Sequence, residues 1–84
     1  ALLRAYPNPF NSGTFIELTG FTGDIASIEI FDILGRKVYN YEITAGNPAV
    51  LRWNGMDFKG NTLPAGIYFC RAGEAPVLKL QMLK

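Results

Sequence analysis

Gly66-Ile67-Tyr68-Phe69-Cys70 is the stretch that decides the fold. Tyr68 stands two residues before Cys70, so in an extended segment the two side chains share a face. Immunoglobulin-type sandwiches place a tyrosine two residues ahead of an inward-facing cysteine and return its hydroxyl to nearby backbone. The pair also falls late in the chain, where the sixth of seven strands belongs. Cys70 is the single cysteine of the 84 residues and has no intrachain disulfide partner, so it is expected to pack as a buried small hydrophobe.

Outward from this stretch the chain reads as short strands between frequent glycines and prolines, the spacing of an all-β sandwich. Seven segments are expected: Leu2 to Tyr6, Thr14 to Leu18, Ala26 to Asp32, Lys37 to Ile43, Ala49 to Trp53, Gly66 to Ala72 and Val77 to Leu83. Pro7-Asn8-Pro9 stops the first, because proline cannot donate to a ladder and restricts the residue before it. Alternation sets the faces. Ile16 and Leu18 oppose Glu17; Ile28 and Ile30 oppose Glu29 and Phe31; Leu78, Leu80 and Met82 oppose Lys79 and Gln81. One apolar and one polar face is the pattern of antiparallel sheets half-exposed to water. No window keeps a helical apolar period. The fold expected is an immunoglobulin-like antiparallel β-sandwich of about seven strands, one domain over residues 1–84.

Composition narrows the function. Hydrophobic residues make up 49% of the chain and charged residues 18%, which fits a packed globule. The net charge is +1 and the longest basic run is Arg36-Lys37, so no nucleic-acid stripe is present. No apolar stretch approaches the ~20 residues of a membrane helix, and nothing near Leu2-Leu3-Arg4 reads as a signal peptide. A chain that begins with Ala1 is expected to be a fragment of a longer protein. The sequence has no histidine, which removes Ser-His-Asp, Cys-His and His-metal chemistry.

Each remaining candidate for chemistry has a plainer reading. Asn54, Asp57 and Asn61 offer hard oxygen ligands, but the loop lacks the carboxylates and closing glutamate of a calcium site, and these residue types form ordinary turns. Glu29 and Asp32 lie three apart on one expected strand and so project to opposite faces. Cys70 lacks a base to activate it. Phe15, Phe31 and Phe69 fall on outward faces, and with Trp53 and Tyr68 they are weighed as a stacking platform against ordinary sheet packing. No catalytic, metal or cofactor site, and no small-molecule substrate, is expected.

Taken together, the motifs resemble the C-terminal sorting domains of the type IX (Por) secretion system. The residues that carry the resemblance are Tyr6-Pro7-Asn8-Pro9-Phe10-Asn11, the run Ile28 to Val38, Trp53-Asn54-Gly55-Met56-Asp57, the run Gly60 to Tyr68, and the lysine-bearing end Lys79 to Lys84. They stand in the family's order and span nearly the whole chain. Cys70 departs from the family's usual aromatic or aliphatic residue, and the 20–24 loop is not diagnostic.

The resemblance implies a non-catalytic signal at the end of a secreted protein of a Gram-negative bacterium. Its partners would be a cargo domain on its N-terminal side, the outer-membrane translocon and a sortase. The cargo would reach the medium or cell surface by way of the periplasm, and the sortase would cleave the domain and anchor the cargo. Recognition residues carried over by motif are Tyr6, Pro7, Asn8, Pro9, Gly66, Tyr68, Lys79 and Lys84. The alternative from another class is a structural immunoglobulin-like spacer beside a secreted enzyme or adhesin. Such a spacer can sit mid-chain, whereas a sorting signal must end it.

Overall fold

The computed structural model describes residues 1–21, 25–44 and 49–83, with backbone alone at Ile25. Among these residues the chain forms seven strands: β1 (Leu2–Tyr6), β2 (Thr14–Thr19), β3 (Ile25–Phe31), β4 (Lys37–Thr44), β5 (Val50–Trp53), β6 (Gly66–Arg71) and β7 (Leu78–Met82). Every pairing is antiparallel, in a three-stranded sheet ordered β1-β2-β5 and a four-stranded sheet ordered β4-β3-β6-β7. These are the neighbours of an immunoglobulin-like sandwich: the second strand beside the fifth, the third beside the sixth and the sixth beside the last.

The inward residues are those that alternation selects. Leu3, Ile16, Leu18, Leu51 and Trp53 come from one sheet; Ile28, Ile30, Ile43, Tyr68, Cys70, Leu80 and Met82 come from the other. Each leucine, isoleucine and methionine among them stabilises the fold by about 1.5–3 kcal/mol relative to exposure. Trp53 sits at the centre, 5.8 Å from the Phe10 ring and 5.5 Å edge-on from Tyr68. Its indole N–H is satisfied by the Met56 carbonyl at 2.9 Å. The Tyr68 hydroxyl donates to the Pro64 carbonyl four residues upstream at 2.5 Å, the return expected from its spacing to Cys70.

Strand ends shift by about one residue from the sequence reading. The third strand stops at Phe31 because the register slips between Ile30 and Phe31, and Asp32 opens a turn instead of ending a strand. That turn has a twin. Asp32-Ile33-Leu34-Gly35-Arg36 and Asp57-Phe58-Lys59-Gly60-Asn61 carry the same hydrogen bonds: the Gly35 and Gly60 N–H groups donate to the aspartate carbonyls, and the aspartate N–H groups donate to Arg36 and Asn61. Each carboxylate accepts two further backbone N–H bonds, at positions two and four residues on. Both glycines have φ near +80°, where a Cβ would be strained. Asp57 and Asn61 are therefore turn-forming groups, and no cluster of metal-ligating side chains exists among the described residues. The segment 54–64, read from sequence as a loop, is drawn together by this turn and by a bridge from Met56 to Thr62.

Candidate functional site

The Tyr6 to Asn11 segment and the last strand, 71 residues apart in sequence, form one seam. Asn8 stands beside the free edge of β7 and uses its side-chain amide as a peptide group. Its Nδ2 donates to the Lys79 carbonyl at 2.8 Å, and its Oδ1 accepts from the Gln81 N–H at 3.0 Å. Phe10 continues the ladder with its main chain. Its N–H donates to the Gln81 carbonyl at 3.0 Å, and its carbonyl accepts from Leu83 at 2.8 Å, making a parallel bridge opposite Met82. The Phe10 ring is buried against Trp53. Thr14, also buried, donates its hydroxyl to the Pro7 carbonyl at 2.7 Å, and the Tyr6–Pro7 and Asn8–Pro9 peptide bonds are both cis. The edge of β7 from Lys79 to Leu83 is thereby covered. An uncovered edge would be open to pairing with another chain.

The eight residues carried over by motif divide by position. Pro7, Asn8 and Pro9 lie along the seam, and Lys79 on β7 meets Asn8 through its carbonyl while its side chain faces solvent. Gly66 opens β6 opposite Met82. Tyr6 and Tyr68 point elsewhere. Tyr6 is exposed on the outer face of the three-stranded sheet, stacked on Phe15 with Arg4 over its ring, and Tyr68 is in the core. Lys84 lies outside the described residues. Phe10 and Thr14, which hold the seam, enter the sequence reading only as part of the Tyr6 to Asn11 motif and as the start of the second strand, without a role of their own. A bulky aromatic inside a proline-rich turn was the available signal for Phe10.

The five aromatics weighed as a platform do not form one. Trp53 and Tyr68 are buried, Phe15 is exposed on one sheet, and Phe31 and Phe69 are half-buried and paired on the other. Among the ionisable groups, hydrogen bonding from Lys37, aided by Arg71, holds the Glu29 carboxyl below its ordinary value. Backbone N–H bonds, from Arg36 to Asp32 and from Asn61 to Asp57, hold those carboxyls low as well. Burial pushes the Cys70 thiol up to about 12, so it stays protonated and unreactive in the folded chain.

The first turn of this small immunoglobulin-like sandwich is thus laced to its last strand. The chain belongs to the family described as secretion system C-terminal sorting domain, the sorting domains of type IX secretion, which it matches over residues 4–77. The match takes in the whole Tyr6 to Asn11 segment and stops one residue before β7, so the strand that Asn8 and Phe10 cover lies beyond it. Comparison with the curated proteins and with the solved structures returned no match.

Proposed function

We propose that this domain acts without catalysis as the C-terminal address of a larger polypeptide. The type IX outer-membrane translocon would take up a cargo domain joined on its N-terminal side after that cargo has entered the periplasm. Cleavage of the domain by a sortase and attachment of the cargo at the cell surface would follow. Membership of the sorting-domain family supports the class of function. The observation that carries the finer reading is the seam. Two segments that the family resemblance singles out, the Tyr6 to Asn11 turn and the final strand, are hydrogen-bonded into one structural unit. On this reading Lys79 and Tyr6 present side chains to the machinery, and Lys84 is a further recognition residue. Pro7, Asn8, Pro9, Gly66 and Tyr68 hold the presenting strands in place.

The test fuses the domain to the C-terminus of a periplasm-targeted fluorescent reporter in a host with an active type IX system. Deleting residues 79–84 would remove Leu80 and Met82 from the core and unfold the domain, so point variants are needed. The intact fusion should reach the surface or medium, and Lys79→Ala with Lys84→Ala should leave reporter in the periplasm while the domain stays folded. Retention of the intact fusion beside a functioning known signal would sink the proposal in favour of a spacer. Wild-type export of the double variant would remove the lysines from the signal and leave the sorting role standing.

A further inference from the structure

The four-stranded sheet has two edges, and they are treated differently. Asn8 and Phe10 take the edge of β7 from Lys79 to Leu83. The other edge is β4, the longest strand at 8 residues, which pairs with β3 alone. Asp32 donates its N–H to the Arg36 carbonyl, so every second β3 residue before it (Ile30, Ile28 and Ala26) turns its main chain toward β4. These stand opposite Tyr39, Tyr41 and Ile43. The N–H and C=O groups of Asn40 and Glu42 therefore point away from the sheet, and among the described residues nothing bonds to them. The row closes at Val38, whose carbonyl accepts from the Phe58 N–H at 3.1 Å while the Phe58 ring lies 6.2 Å from Tyr39. Asn40 and Glu42 expose their side chains, and Tyr39 and Tyr41 are half-buried. An open row of main-chain groups is a template for another strand.

We infer that the strand added here is β4 of a second copy of the chain, antiparallel about a twofold axis at Tyr41. Asn40 of each copy then lies opposite Glu42 of the other. Each such pair exchanges both of its N–H···O=C bonds, and the Asn40 amide donates to the facing Glu42 carboxylate. Tyr41 meets Tyr41, and Tyr39 meets Ile43, cross-strand pairs of the kind that hold sheets together. An axis at Asn40 would run Glu42 against Val38, which Phe58 already occupies. An axis at Glu42 would set the two carboxylates directly opposite. In the Tyr41 register they are diagonal, roughly 7–8 Å apart. Glu29, beside Asn40 on β3, is already held by Lys37 and Arg71. The edges of β1 and β5 are shorter, at 5 and 4 residues. Neither Arg4 nor Arg52 has a carboxylate or amide two residues away on its strand, so self-pairing there lacks the reciprocal complement that a twofold contact requires. Pairing through β4 uses one edge of each copy and stops at a dimer. Nothing in it depends on the sorting role.

Sedimentation equilibrium of the 84-residue chain from about 10 μM to about 1 mM tests this. Wild type should pass from monomer to dimer and no further. Asn40→Pro removes an edge N–H that makes no bond within the sheet, a place that tolerates proline, and should give a folded monomer, with thermal melting as the check. Asn40→Lys sets a cation opposite each Glu42 and should tighten the dimer about fivefold through its pair of cross-strand ion pairs, a gain that fades near about 1 M salt. Tyr41→Cys should yield a disulfide-linked dimer in air, because non-hydrogen-bonded partners bring their Cα atoms to about 4.5 Å, within disulfide reach. Leu2→Cys, exposed on the other sheet, should link far more slowly. A monomer throughout the range, assembly beyond two copies, or a dimer that N40P leaves intact would overturn the inference. So would a dimer that N40K does not tighten and Y41C does not link. In the reporter fusion, a photo-crosslinking residue at position 40 that captures a different protein in place of a second copy would assign the edge to that partner and overturn the self-pairing.

Discussion

Replacing Asn8 by alanine tests the seam directly. The substitution removes two hydrogen bonds, to the Lys79 carbonyl and from the Gln81 N–H, and leaves both main-chain groups on an exposed edge where water replaces the amide. Solvent access places each bond toward the lower part of the usual range, about 0.5–1 kcal/mol, so N8A should cost about 1–2 kcal/mol. A domain of this size loses about 4–8 °C in Tm per kcal/mol, which gives a fall of roughly 5–15 °C by calorimetry or circular dichroism. Asn8→Asp sharpens the test. Its ionised carboxylate still accepts from Gln81 but sets a negative oxygen against the Lys79 carbonyl. Protonation restores a donor, so the folded state favours the acid form, and the gap to wild type should narrow as pH falls through the raised folded value and be smallest by about pH 4. If N8A melts within about 2 °C of wild type, the amide does not hold the strand and the seam is not a structural unit.

Other outcomes follow from the same packing. Tyr68→Phe should cost about 1–2 kcal/mol in urea unfolding, because it leaves the Pro64 carbonyl without its hydroxyl donor; an unchanged midpoint would show that the corner is ornamental. Gly60→Ala meets only a backbone penalty at φ +83 and should cost about 1–2 kcal/mol. Gly55→Ala adds a Cβ 2.6 Å from the Met82 sulfur and should cost clearly more; equal costs would refute the close approach. Cys70 should resist thiol reagents at pH 8 and react fully in denaturant, since burial pushes its thiol up to about 12. Glu29, Asp32 and Asp57 have lowered folded values, so their contribution is whole above the ordinary carboxyl range and is lost as pH falls through the folded values. Tm should therefore hold from pH 8 to 5 and drop below about 4, and Asp57→Asn should blunt that drop.

The strands were legible because burial imposes period two. Ile16 and Leu18, Ile28 and Ile30, and Leu80 and Met82 are all buried where alternation put them. The Tyr68 to Cys70 spacing was legible because the corner is a local device whose acceptor lies four residues away. The repeated Asp-x-x-Gly of the twin turns was visible in sequence too, and positions 32–35 and 57–60 read alike once the bonds are traced. Asn8 was another matter. Its residue type suits any turn, and what makes it act as a strand is a partner 71 residues away, which no local pattern encodes. The same distance hid Phe10, whose place in the core depends on β7 arriving beside it.

The lacing of Phe10 to residues 81–83 also sets when this molecule can take shape. Leu80 and Met82 fill the core that Leu3 and Phe10 help to enclose, so no shorter length of the growing polypeptide can shut the sandwich. While the ribosome still holds residues 78–83, β6 lacks its outer neighbour and Phe10 has nowhere to lie. Domains made earlier on the same polypeptide fold first as a matter of course. Whatever precedes this one has had its opportunity before the sandwich closes, and the closed sandwich certifies that translation has run through Leu83.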